Sequence, residues 1–177
     1  QEFDIEIKWR AFPLYPEIPE EGVSIKQYFA GKIDNIDKMI NWMKQTASDL
    51  GLPFGEVVNI YNTRLAQELG CWAELENKGT AFHHAAFNAY FVKAENIADQ
   101  KVLEDIAVSI GLDGKEACDV LEQRTFKRQV DADWKQAAEN TISAVPTFMI
   151  NGERLVGAQS YDKLKTLMNR HGVITIE

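Results

Sequence analysis

From Ser24 to about Ile142 the apolar residues recur every three or four positions, and only the two ends of the chain break that rhythm. A repeat near 3.6 gathers such residues on one face of a helix, so this stretch must fold as packed helices. Ile36, Met39, Ile40, Met43, Ala47 and Leu50 form a first stripe, stopped by Gly51 and Pro53. Leu65, Leu69, Trp72 and Leu75 form a second, with Asn62 or Thr63 as its cap. Phe82, Ala85, Ala86, Ala89 and Tyr90 follow Gly79-Thr80, and Val102, Leu103, Ile106, Ala107 and Ile110 run up to Gly111. Asp113 with Glu116 three residues on is a capping-box variant opening a fifth helix. Phe126, Val130, Trp134, Ala138 and Ile142 space a long sixth. The spacing never repeats at a fixed interval, which predicts an irregular bundle rather than a solenoid.

The ends obey a different period. Phe3, Ile5, Ile7 and Trp9 alternate with Asp4, Glu6 and Lys8, the pattern of a strand with one buried face. Pro13, Pro16, Pro19 and Gly22 then forbid a helix and predict an extended connector, held to a surface by Phe12, Leu14, Tyr15 and Ile18. After the helices, VPTFMI, Asn151-Gly152 and ERLVG read as a β-hairpin, because both central residues of a type I′ turn must tolerate positive φ. Ser160 is placed to cap a last amphipathic helix through Tyr161, Leu164, Leu167 and Met168. The expectation is an α/β chain in which residues 1–23 and 143–177 flank an all-helical insertion, 24–142.

Several function classes fall away on charge and composition. Nineteen basic against 27 acidic residues, a net charge of −8, argue against wrapping nucleic acid or lying on an anionic membrane. No apolar run approaches the roughly 20 residues that span a bilayer, and the acidic, alternating start QEFDIEIK is no secretory signal. Cys71 and Cys118 are too few and too far apart for a disulfide scaffold or zinc spacing, so a reduced, cytoplasmic setting is expected. A Cys71–Cys118 bridge stays open at this level, but neither thiol is assigned a catalytic role, since free cysteine usually serves as a small buried hydrophobe. His83 and His84, adjacent on a helix, point about 100° apart and cannot grip one ion unaided, so a helix-surface or packing role is expected of them and no metal site.

Val145-Pro146, directly before a strand, is the most informative pair. Proline cannot donate to a sheet ladder, so at a strand start it marks an edge or a cis bond, and the residues alone leave both open. The segment AVPTFMINGERLVGAQSYDKL resembles the C-terminal half of a thioredoxin fold. IKWRAFPLYPEIPEEG, NTRLAQELG, FHHAAFNAYF and the residues from Ala107 to Leu112, in that order, resemble the DsbA family of thioredoxin-like oxidoreductases, and its FrnE-type branch in particular. The resemblance spans residues 3 to 170. It implies a thioredoxin-like sheet with the helical domain inserted between its halves, Pro146 as the cis-proline, and Val145, Pro146 and Thr147 as substrate-binding residues. The Val145 backbone would pair with an extended protein substrate or with glutathione as a short antiparallel ladder, with no bound cofactor. Catalysis in that family belongs to a Cys-x-x-Cys at a helix N-terminus, where the dipole favours a thiolate that attacks the substrate disulfide.

The chain departs from that pattern, for it contains neither Cys-x-x-Cys nor Cys-x-x-Ser. It begins with Gln rather than Met, which reads as a processed, trimmed or cloned boundary, and the resemblance places the family's first strand and active-site helix before Phe3. That strand would lie between the segments 3–9 and 147–150, so its absence predicts unpaired backbone, relieved by repacking or by exchange between two copies, and a homodimer. The leading expectation is a thiol–disulfide oxidoreductase or isomerase missing its redox-active segment. The alternatives are a redox-inactive peptide- or thiol-binding scaffold and a glutathione-dependent isomerase or kappa-class transferase, the last using serine in place of cysteine.

Overall fold

The computed structural model describes residues 2–176. They form two units, one made of the residues up to 14 together with those from 131 onward, the other of residues 15–130.

The unit 15–130 is helical. Strand β1 (Val23–Ser24) pairs antiparallel with β2 (Asn59–Ile60), with α1 (Ile25–Tyr28) and α2 (Ile36–Asp49) between them. Helices α3 (Arg64–Leu75), α4 (Gly79–Phe87), α5 (Gln100–Ser109) and α6 (Gly114–Gln123) follow, and a π-helical turn, Asn88–Val92, continues α4. The periodic stripes account for the core: Leu69, Ala73, Leu103, Ala107 and Ala117 are wholly buried, with Trp72, Phe82 and Leu121 beside them. The caps act as their residue types dictate. Asn35 accepts from the Lys38 amide at 2.8 Å, and Asp113 accepts from Lys115 and Glu116 at 2.8 and 2.9 Å.

One buried ion cluster braces this unit. Glu68 has no exposed surface and accepts from Arg64 Nε at 2.6 Å and from Arg124 Nε and Nη2 at 2.7 and 2.8 Å. Burial alone would raise the Glu68 carboxyl, but hydrogen bonds from Arg124 and Arg64 outweigh it and hold the group below the usual carboxylate range. The π-turn has a packing cause as well. It aims the Phe91 carbonyl at the Gly55 amide (2.8 Å) and lets the Tyr90 hydroxyl donate to the Asn59 carbonyl at 3.0 Å. Gly55 is required there, because a Cβ would lie 2.0 Å from the Val92 carbonyl oxygen.

Both expected domain boundaries move. The proline connector belongs with the helices, since Ile18 is buried with Ile25 and Ile60, and the Asn62 amide donates to the carbonyls of Pro16 and Ile18 at 3.3 and 2.8 Å. At the other end, α7 (Lys127–Glu139) lies largely in the second unit: its buried Asp133 accepts from Arg10 Nη1 at 3.2 Å and from the Ala11 amide at 3.1 Å.

That second unit continues with the hairpin β3 (Thr147–Ile150) and β4 (Glu153–Val156), then α8 (Tyr161–Arg170). Ile150 faces Glu153 across a two-residue turn in which Asn151 and Gly152 have φ of 48° and 84°, the type I′ geometry that Asn-Gly favours. The expected strand over residues 3–9 does not form. Only Phe3 is buried and bridged, opposite Thr175, while Ile5, Ile7 and Trp9 are exposed with no ladder among the described residues. A strand needs a neighbour for its amides, and the isolated bridge supplies one residue of pairing. Ser160 does not cap α8 with its hydroxyl; its carbonyl accepts from the Lys163 and Leu164 amides instead. Among the described residues no helix is long and apolar enough to cross a membrane.

Candidate functional site

The loop entering β3 is built from three short-range bonds. Thr147 Oγ1 donates to the Ala144 carbonyl at 2.7 Å, folding residues 144–147 into a tight turn. The Gly157 amide, just past β4, donates to the Pro146 carbonyl at 2.7 Å, so the second strand pins the proline. The Val145–Pro146 peptide is cis. Between these fixed points Val145 is left over: its amide and carbonyl make no backbone hydrogen bond among the described residues, and its side chain is 44% exposed.

Charged side chains anchor the hairpin from outside. Arg154 on β4 donates to the Asn140 carbonyl, and to the Thr141 carbonyl and hydroxyl at 3.1 and 2.6 Å, filling the acceptors that α7 leaves open at its C-terminus. Glu153 meets the Arg170 guanidinium and lies 2.8 Å from His171 Nε2, tying β4 to the end of α8. Phe148, Met149 and Val156 remain exposed on this framework. The result is a strand entry held by short-range bonds, with one residue of backbone left without a backbone partner among the described residues and an apolar surround, a geometry able to take up an extended chain by strand pairing.

The three residues singled out from the sequence, Val145, Pro146 and Thr147, therefore sit together. Thr147 differs from its neighbours, because its hydroxyl is committed to the turn. Gly157 as the clamp on Pro146 is not legible in the sequence, where it shows only as the glycine that ends the second hairpin strand. The other polar candidates lie elsewhere. Cys71 and Cys118 are in no disulfide, half-buried and both in the helical unit. Burial, with Glu122 and Glu104 nearby, pushes the Cys118 thiol up, the reverse of what a nucleophilic thiolate needs. Burial also lowers His83, helped by the charge of His84, and its ring lies 6.2 Å from those of Phe82 and Phe87. Among the described residues no group of His, Cys, Asp and Glu could hold a metal ion.

Comparisons with known proteins agree on one architecture. The family model described as a DSBA-like thioredoxin domain matches residues 1–169. An uncharacterised protein of Bacillus subtilis, YwbO, is 30% identical over 166 residues, which are 90% of this chain and 78% of that protein. The crystal structure of a probable DsbA oxidoreductase from Streptomyces coelicolor superposes with a TM-score of 0.85 at 22% identity, over 98% of this chain and 79% of that one. A 2-hydroxychromene-2-carboxylate isomerase superposes with a TM-score of 0.65 at 20% identity, over 77% of this chain and 66% of that one.

Proposed function

The chain belongs to the DSBA-like thioredoxin domain family, and from that premise we propose that it forms the substrate-binding part of a thiol–disulfide oxidoreductase or isomerase of FrnE type. The observation that carries this reading is the unpaired Val145 backbone beside a proline whose own carbonyl is taken by Gly157. An extended peptide, or the backbone of glutathione, would add two hydrogen bonds at Val145 and lay its side chains against Phe148 and Met149. The exchange chemistry requires a dithiol, and none of Cys-x-x-Cys form is among these 177 residues. In the proposed reaction a thiolate attacks a substrate disulfide, one sulfur leaves as thiolate, and a second thiol resolves the mixed disulfide.

Two measurements test the reading. In amide NMR spectra of the chain, reduced glutathione or an unlabelled extended peptide should shift Val145, Thr147 and Gly157 while leaving α5 and α6 unmoved. The intact mass and N-terminal sequence of the protein from its own source, followed by an insulin-reduction assay, then decide the chemistry. Turnover with a Cys-x-x-Cys supports the oxidoreductase. Binding without turnover replaces it with the scaffold reading, and a serine in the first thiol's place replaces it with the glutathione-dependent isomerase. No shift at Val145 removes the site itself.

A further inference from the structure

Away from the hairpin, the helical unit holds a cleft of about 360 Å³ between the α4–π segment and α5. That is within the range of roughly 300–1,000 Å³ typical of small-molecule sites. Part of its lining is apolar, with Ala85 and Ala89 on one side and Val102 and Ile106 on the other; Asn88 and Ser109 add polar groups, and Ala89 and Ile106 belong to the main core. Its rim is charged. Lys93 caps the π-turn, and a left-handed residue, Ala94 at φ 57°, turns the chain so that Glu95 also lines the opening. Strained backbone of this kind, next to a π-turn, is enriched at binding sites.

The rim's charges define what fits. Lys93 Nζ and Glu95 Oε2 are 4.0 Å apart, a pair at the limit of contact and partly exposed. Asp105, the other carboxylate on the rim, is held by Lys101 at 2.8 Å. A plain anion entering here meets Glu95 and Asp105, and a plain cation meets Lys93, so either is repelled by part of the rim. A ligand carrying both signs satisfies Lys93 and Glu95 at once, and an aliphatic group would cover the apolar part of the lining. We propose that this cleft binds a small zwitterion with an aliphatic side chain, of the free amino acid class.

L-Leucine is the probe. Calorimetric titration of the whole chain should give saturable binding, and 4-methylpentanoate and isopentylamine, which each lack one charge, should bind at least about ten-fold more weakly. Ala85→Leu, which fills the cleft, and Glu95→Gln, which leaves its shape intact, should each weaken leucine by about ten-fold or more, with melting by far-UV circular dichroism confirming the folded state. The proposal is overturned by an absence of saturation at about 20 mM leucine, an affinity outside the millimolar range in which small ligands still register. It is equally overturned if either single-charge analogue binds as well as leucine, or if a folded Glu95→Gln protein keeps the parent affinity.

Discussion

In the helical unit Leu69, Ala73, Leu103, Ala107 and Ala117 are removed from solvent entirely, whereas in the hairpin unit Ile7, Val145, Met149, Val156 and Ile174 lie between 43% and 73% exposed. Both units are rich in apolar residues, so composition does not separate them. What separates them is closure. Helices satisfy their own backbone and can bury a stripe against any neighbour of similar pitch. A two-stranded hairpin leaves two open edges and two faces, and one following helix covers little of that area. The helical unit therefore holds most of the wholly buried core, although Trp42, Leu50 and Leu75 stay exposed on it, while the hairpin unit buries few of its large apolar side chains.

The largest loss is expected in the helical core. Leu103→Ala should cost about 3 kcal/mol in urea unfolding followed by far-UV circular dichroism, because Leu103 is wholly buried in the core and its truncation leaves a cavity. A cost below about 1 kcal/mol would mean that the helical core is loosely packed.

Glu68→Gln comes next, at about 2 kcal/mol. It leaves Arg64 and Arg124 without their shared counter-charge, a loss softened by the partial exposure of Arg124. The sign of the accompanying pH effect is fixed. The folded-state carboxyl lies below its unfolded value, so its contribution is present above that unfolded value, near pH 4.3, and is lost as pH falls through the folded one. Acid unfolding of the parent should accordingly be steeper below pH 4.3 than that of the variant.

Asp113→Ala removes a cap accepting two amides and should cost about 1 kcal/mol, read from the same unfolding curves. The smallest effect is expected in the other unit. Val156→Thr should change stability by no more than about 0.5 kcal/mol, as substitutions away from the core do. It should nevertheless lower the apparent mass by light scattering at micromolar concentration, where the parent is expected to self-associate through its exposed hairpin. A monomeric parent would remove that expectation.

The same contrast explains what the sequence allowed. Helices α2 to α6 were legible because their stripes are amphipathic, and Asp113 and Asn151-Gly152 were legible because each side chain or φ demand is local. Segment 3–9 alternates like a strand, but alternation reports a capacity to pair, and pairing needs a neighbour. The β1–β2 contact, two residues long, and the π-turn arise from tertiary packing at Gly55, Tyr90 and Phe91, which no window of sequence encodes. At the candidate site, Val145-Pro146 stood out as a proline entering a strand and took its binding role from family likeness, while the Thr147–Ala144 bond and the Gly157 clamp became visible only once the loop was folded.

The Gly55 approach also bears on the order in which this chain assembles. Tyr90 and Asn59 are 31 residues apart, with α3 and α4 between them. Closing that loop carries an entropic cost that local helix formation does not. In refolding from urea the far-UV signal of the helices should return first, and the tyrosine signal of Tyr90 settling against residues 55–59 should trail it. Removing the Tyr90 hydroxyl should speed unfolding far more than it slows folding.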